Sequence, residues 1–92
     1  MNKNEKDSAK RISDVIPSAI IDSPIIGMTG NKEITVDGFK GIVDYTETSV
    51  SFKAGSVIMT VGGGGLSIRY LSVHTIVISG EITAVEFNYD RS

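Results

Sequence analysis

Two hydrophobic periodicities divide the chain. Between Ser8 and Ile20 the apolar residues Ile12, Val15, Ile16, Ala19 and Ile20 recur at spacings of three and four, the stripe of an amphipathic helix. Pro17 falls inside that stripe, lacks an N–H and disfavours helix at Ile16. The pattern therefore predicts two short helical turns, with Pro17 opening the second. After Pro24 the helical spacing is lost. The segments "EITVDGF", "GIVDYT", "SVSFKAG", "SVIMTVG", "LSIRYLS", "TIVISGE" and "ITAVEFN" follow one another. Each is rich in Val, Ile, Thr or aromatics and is bounded by Gly, Asp, Asn or Ser, which is the signature of short strands. "IIGMTGN" before them suits a further strand. Breaks fall about every 8–10 residues, too close together for intervening helices, so a parallel α/β arrangement is excluded.

The pattern predicts an all-β fold of about seven or eight short strands in an antiparallel meander, curled, sandwiched or closed into an open barrel. A short β-solenoid is the alternative, because near-regular strand spacing also marks solenoids. "DGFKG" (37–41) and "YTETSV" (45–50) read as compact reversals and favour hairpins. The division expected is a mobile tail at 1–8, a short amphipathic helical segment at 9–23 and a single β domain at 24–90.

Composition narrows the choices. Ninety-two residues with 40% hydrophobic content make one small domain with a modest core. There is no cysteine, so neither disulfides nor thiol chemistry contribute. Residues 1–16 carry four basic and three acidic groups, and the remainder five and eight, which gives +1 and −3 and the overall −2. Neither part has the dense basic stripe that nucleic-acid binding requires. The apolar stretch from Ile16 to Ile26 is interrupted by Pro17, Ser18, Asp22, Ser23 and Pro24. It fits neither a signal peptide nor a spanning helix, and the expectation is a soluble protein.

The glycine quartet Gly62–Gly65 in "VGGGGLSIRY" raises the question of a phosphate loop. A Walker loop needs a following Lys and Ser or Thr and opens a helix, whereas here Leu66, Ser67 and Ile68 lead into a strand. "GMTGNK" fails in the same way. Both read as turns, with the quartet forming a reversal between "SVIMTV" and "LSIRYLS". His74 is the single histidine and, without cysteine, does not suggest a zinc site. Asp37, Asp44, Glu47, Glu81, Glu86 and Asp90 are scattered, without the spacing of a calcium loop or a close acid–base pair. No catalytic, cofactor-binding or metal-binding residues are therefore nominated.

One stretch stands apart. From Ala54 to Gly80 Arg69 is the only charged residue, with His74 neutral, and there is no proline. Exposed strand edges are normally blunted by charge or proline. These strands are therefore either central in their own domain or covered by another protein. On the second reading Val57, Met59, Val61, Leu66, Ile68, Tyr70, Val73 and Ile76 form an interaction surface for self-association or a protein partner. Ile12, Val15, Ile16 and Ile20 would be a second, N-terminal docking element.

Residues 15–88 also resemble the YabP/YqfC family of sporulation proteins of endospore-forming bacteria. The resemblance is carried by Pro24 with Gly30 and Asn31, Gly41 to Thr46, Leu66 to Leu71 and Ile76 to Phe87. The lead-in "VIPSAIIDSP" is similar to that of the YqfC branch. One departure is the glycine quartet, where the family pattern has a glycine followed by a polar pair. The resemblance implies a small protein of spore formation, cytoplasmic in the sporulating cell and peripheral to forespore membrane or coat. With no catalytic set in the sequence and an apolar β surface, the expected role is a non-enzymatic assembly or scaffold protein. The resemblance also implies a protein partner, with a stage IV sporulation membrane protein as the candidate, and it carries over no catalytic residues or cofactor. The competing reading is a small β ligand-binding module that recognises a cell-wall or metabolite fragment.

Overall fold

A computed structural model describes residues 23–89, and all of the regular structure in them is β. The tail at 1–8 lies outside these residues, as do all but the last position of the expected helical segment, Ile12, Val15, Ile16 and Ile20 among them. Six strands make one open antiparallel sheet: β1 (Ile25–Thr29), β2 (Glu33–Asp37), β3 (Phe39–Tyr45), β4 (Ser49–Ala54), β5 (Val57–Leu71) and β6 (Thr75–Tyr89). Their order is β1-β2-β6-β5-β4-β3. Every pairing is antiparallel, which removes the solenoid alternative.

The strand count is six because two pairs of expected strands are continuous. "SVIMTVG" and "LSIRYLS" merge into β5, and "TIVISGE" and "ITAVEFN" merge into β6, each strand 15 residues long. The glycine quartet is thus not a reversal. It lies inside β5, and Gly80 lies inside β6. The quartet's freedom is spent on bulges: the β5–β6 register slips between Gly62 and Gly63 and again between Gly64 and Ser67. Bulges bend a strand without ending it. At this bend the backbones run so close that a Cβ on Gly63 would lie 1.9 Å from the Glu81 carbonyl oxygen. Gly80, at φ 143°, faces the Gly65 carbonyl oxygen and Leu66 in the same way.

"DGFKG" is not a hairpin either. β2 pairs with β6, and β3 pairs with β4 at the far edge of the sheet, so Gly38 carries the chain from one half to the other. The backbone there is held by its surroundings: Gly38 N–H and Phe39 N–H both donate to the His74 carbonyl, and Gly55 N–H donates to the Gly38 carbonyl. The other reversals fall where expected. "YTETSV" joins β3 to β4, with Thr46 Oγ1 accepting from the amides of Thr48 and Ser49. "GMTGNK" joins β1 to β2.

Alternation places the core. In β4 Val50, Phe52 and Ala54 are buried, with Ser49, Ser51 and Lys53 half-buried on the other face. β2 buries Ile34 and Val36, β6 buries Ile76, Ile78 and Ile82, and β5 buries Met59, Val61 and Leu66. These residues and Phe39 form one cluster, so the two halves of the bent sheet share a single core. Phe39 and Phe52 meet with ring centroids 6.0 Å apart and tilted by 53°, a favourable aromatic geometry.

The bend interrupts the β5–β6 ladder, and buried amides left without partners would be costly. The two end hairpins supply acceptors. The β1–β2 turn offers the carbonyls of Asn31 and Lys32 to Ile82 N–H and Gly80 N–H, while the β3–β4 turn offers those of Glu47 and Thr48 to Leu66 N–H and Gly63 N–H. Replacing Gly63 with alanine forces backbone away from backbone and is expected to cost about 3 kcal/mol. Gly64→Ala, whose Cβ would meet nothing within 4 Å, should change stability by less than about 1 kcal/mol. Urea denaturation of the two variants measures the difference.

Candidate functional site

The two outer edges of the sheet are built differently. β3 (FKGIVDY) carries Lys40 and Asp44, and its pairing with β4 is broken between Phe39 and Gly41 and between Ile42 and Asp44. Charge and bulges of this kind keep an edge from pairing with another chain. β1 (IIGMT) has no charged residue, and all five of its residues are exposed. It pairs with β2 residue for residue and without a bulge, from Ile25 opposite Asp37 to Thr29 opposite Glu33. Among the described residues, one side of β1 is therefore an uncharged edge without a pairing strand.

Cross-strand register also shows which side chains of the edges belong to the inner face. Ile26 lies opposite Val36 and Met28 opposite Ile34, both core residues. At the other end of the sheet, Val85, Phe87 and Tyr89 lie opposite Val61, Met59 and Val57. These positions face inward, yet Phe87 is 54% and Tyr89 75% exposed. Beyond Ser79, β6 pairs with β5 alone, so its inner face runs past the cover that β2 provides. Here a cleft of about 370 Å³ opens, lined by Pro24, Ile26, Val57, Phe87, Asn88 and Tyr89.

Most of the surface expected from the charge-poor stretch is instead interior. Met59, Val61, Leu66 and Ile76 are core residues, and Val57 and Ile68 are half-buried against them. Tyr70 and Val73 do face solvent, at 56% and 80% exposure. Arg69 is also exposed, as its position between apolar neighbours suggested. The absence of charge in this stretch follows from β5 and β6 lying at the centre of the sheet. Nothing local in the sequence marks Ile25, Ile26, Met28, Phe87 and Tyr89 as exposed margin residues. The available signal was "IIGMT", a strand without charge, but its edge position depends on long-range pairing.

Several polar side chains serve the sheet rather than a site. His74 is exposed in the β5–β6 turn, and its backbone carbonyl, rather than its ring, holds Gly38 and Phe39. Thr75 Oγ1 donates to Asp37 Oδ1 at 2.6 Å. Ser51 and Thr60 share a hydroxyl hydrogen bond of 2.9 Å across β4 and β5. Among the described residues, no three His, Asp or Glu side chains come together in a way that could hold a metal ion. No helix among them is long and apolar enough to cross a membrane.

The model of the YabP family matches residues 22–92, which is most of the chain and all of the described sheet. The chain belongs to the YabP family. The motifs that carried the resemblance now have positions in this YabP-family sheet. Gly30 and Asn31 form the β1–β2 turn, Gly41 to Tyr45 lie in the bulged edge strand, and Leu66 to Leu71 and Ile76 to Phe87 lie in the two long central strands. No curated protein matches the chain, and no solved structure does either.

The bend of the sheet also carries a charge pair. Lys32 Nζ lies 2.9 Å from Glu81 Oε2 and 3.1 Å from Oε1. Its hydrogen bond and positive charge hold the Glu81 carboxyl below the usual carboxylate range. Because the folded value is depressed, the pair's contribution to stability is fully present above the unfolded carboxylate range. It is lost as the pH falls through the folded value. Both side chains are well exposed, so the effect is small and weakens with salt. In Lys32→Gln the Glu81 carboxyl should titrate at higher pH than in the unaltered chain, which carboxyl NMR across an acid titration would show.

Proposed function

We propose that this YabP-family chain is a non-enzymatic interaction module of spore formation that binds a protein partner by adding that partner's strand to β1. Family membership supports the sporulation context. The observation that carries the binding mode is the contrast between the two edges of one sheet. β3 is charged and bulged, whereas β1 is regular in register, uncharged and exposed along its full length. Strand addition at such an edge gains affinity from main-chain hydrogen bonds, and alternate side chains set specificity. Here Ile26 and Met28 would contact the partner on the inner face, and Ile25 and Thr29 on the outer.

The resemblance of the lead-in "VIPSAIIDSP" to the YqfC branch supports a stage IV sporulation membrane protein as that partner, and with it a cytoplasmic position beside the forespore membrane. A ligand-binding role has less support. The cleft beside β1 is lined mainly by apolar side chains, with the Asn88 amide and the Tyr89 hydroxyl as its polar side-chain groups, whereas specific small-molecule sites converge several polar groups.

Placing charge on the edge tests the binding mode. Ile25 is exposed, and a side chain at Gly27 would meet nothing within 4 Å, so the double variant Ile25→Lys/Gly27→Lys should fold with stability within about 1 kcal/mol of the parent. Its expected effect in cells is loss of heat-resistant spores, with the protein still present at normal level. Partner capture from sporulating cells should fail with this variant and persist with Val43→Lys on β3. Normal spore yield and normal capture with the charged β1 would defeat the proposal.

A further inference from the structure

The bend leaves the described sheet with four open stretches of strand edge. Two are β1 and β3, at the ends of the strand order. The others arise because β5 meets β4 only over residues 57–62, and β6 meets β2 only over residues 75–79. Past those limits, residues 67–71 of β5 and 83–89 of β6 have a pairing strand on one side alone. Three of the four stretches carry charge: Lys40 and Asp44 on β3, Arg69 on β5 and Glu86 on β6. β1 carries none. In a two-fold interface each residue near the axis meets its own copy, so a charge there faces its like. Among the described edges, β1 is the one that can face itself without this repulsion.

Register selects the pairing. Opposite residues of an antiparallel pair point to the same face, and a slip of one residue sets inner side chains against outer ones. Pairing centred on Gly27 places Gly27 against Gly27, Ile26 against Met28 and Ile25 against Thr29 of the second copy, and it uses all five residues of β1. Ile26 and Met28 belong to the inner face, beside Val36 and Ile34 of β2 and then Ile76 and Ile78 of β6. Across the axis these rows join. Ile76, Val36 and Ile26 of one copy run on into Met28, Ile34 and Ile78 of the other. Val36 and Ile34 are 0% and 1% exposed, whereas Ile26 and Met28 are 37% and 47% exposed. The two β1 residues are thus the part of each row still open to water. Gly27, at the axis, brings no side chain that could hold the strands apart.

We infer that the occupant of the β1 edge in the free protein is a second copy of this chain, joined antiparallel about Gly27 into one continuous sheet. Self-pairing rests on β1 being a strand-adding edge and names what fills it before a sporulation partner does. It consumes the uncharged edge of each copy and leaves the charged, bulged β3 edges at both ends of the joined sheet. Those ends resist further addition, so assembly closes at two copies instead of growing into a fibre. Five residues a side make a small interface, so the pair exchanges with monomer, and a partner strand competes for the same edge.

The chain has no cysteine, so an introduced thiol reports without background. Ile25 and Gly27 alternate with Ile26 on β1, share its outer face and are both exposed. In the pair, Gly27→Cys stands opposite its own copy, within disulfide reach. Ile25→Cys stands four positions from its own copy, roughly 13 Å away and beyond that reach. Mild oxidation of the full-length chain should therefore give about tenfold more covalent dimer with Gly27→Cys than with Ile25→Cys. A mixture of Ile25→Cys and Thr29→Cys chains should cross-link as Gly27→Cys does. Equal yields from the two single variants overturn the inference. Light scattering on the unaltered chain should show a mass that rises with concentration from monomer to dimer and no further, while Ile25→Lys/Gly27→Lys stays monomeric. A monomer at every concentration, or growth past two copies, also overturns it. Both measurements use the purified chain alone. Their failure, with partner capture still lost in the charged variant, leaves strand addition standing without the dimer. A dimer with capture untouched by the charge gives the reverse.

Discussion

Everything in the sheet follows from one close crossing of backbone on backbone. The Glu81 carbonyl occupies the space that any side chain at Gly63 would need, and Gly80 meets Gly65 and Leu66 in the same corner. This approach lets β5 and β6 bend together without separating, so a two-stranded ribbon of 15-residue strands serves both halves of the domain. Were the strands straight, β2 and β4 would lie on one flat sheet, and Ile34, Val36, Val50 and Phe52 would face water. Bent, the sheet covers itself and builds a core with no helix among the described residues. A small all-β chain has few other ways to bury its apolar face.

The same crossing explains the organisation of the turns. A bulged ladder leaves amides unpaired, and the two terminal hairpins deliver carbonyls to them from opposite sides. Asn31 adds a side-chain hydrogen bond to the Ile82 carbonyl, and Lys32 reaches Glu81. The glycine run is thus neither a loose loop nor a phosphate cradle. Its conformational entropy cost is offset by partners distant in sequence, which hold it as strand.

What the sequence made legible were the elements whose causes are local. β-Branched segments gave the strands, and "GN" and "TETS" gave the hairpin turns. The absence of a helical period after Pro24 gave the fold class. What it hid were features whose causes are long-range. Glycine between two apolar runs has the same local signature whether it reverses the chain or lets a neighbouring backbone approach. The quartet and "DGFKG" both carry the local signature of a reversal for that reason. The charge-poor stretch from Ala54 to Gly80 was legible as unusual, but its two explanations, central strand or covered surface, are chemically identical in one dimension. The pairing of β5 with β4 and of β6 with β2 decides for the centre. Met59, Val61, Leu66 and Ile76 thereby move from candidate surface to core, while Tyr70 and Val73 stay outside.

The location of the candidate site follows from this redistribution. A bent sheet hides the middle of its inner face and cannot hide its margins, because each half ends where its partner strand ends. β1 and the last residues of β6 are such margins, and they carry Ile26, Met28, Phe87 and Tyr89. The opposite margin, β3, is defended by Lys40, Asp44 and two irregularities of register. Selection for solubility alone would favour the same defences on both edges. Their presence on one edge and absence from the other is the asymmetry on which the proposed strand addition at β1 rests. Sheet curvature therefore fixes where apolar surface remains, and edge chemistry separates the charged, irregular margin at β3 from the uncharged one at β1.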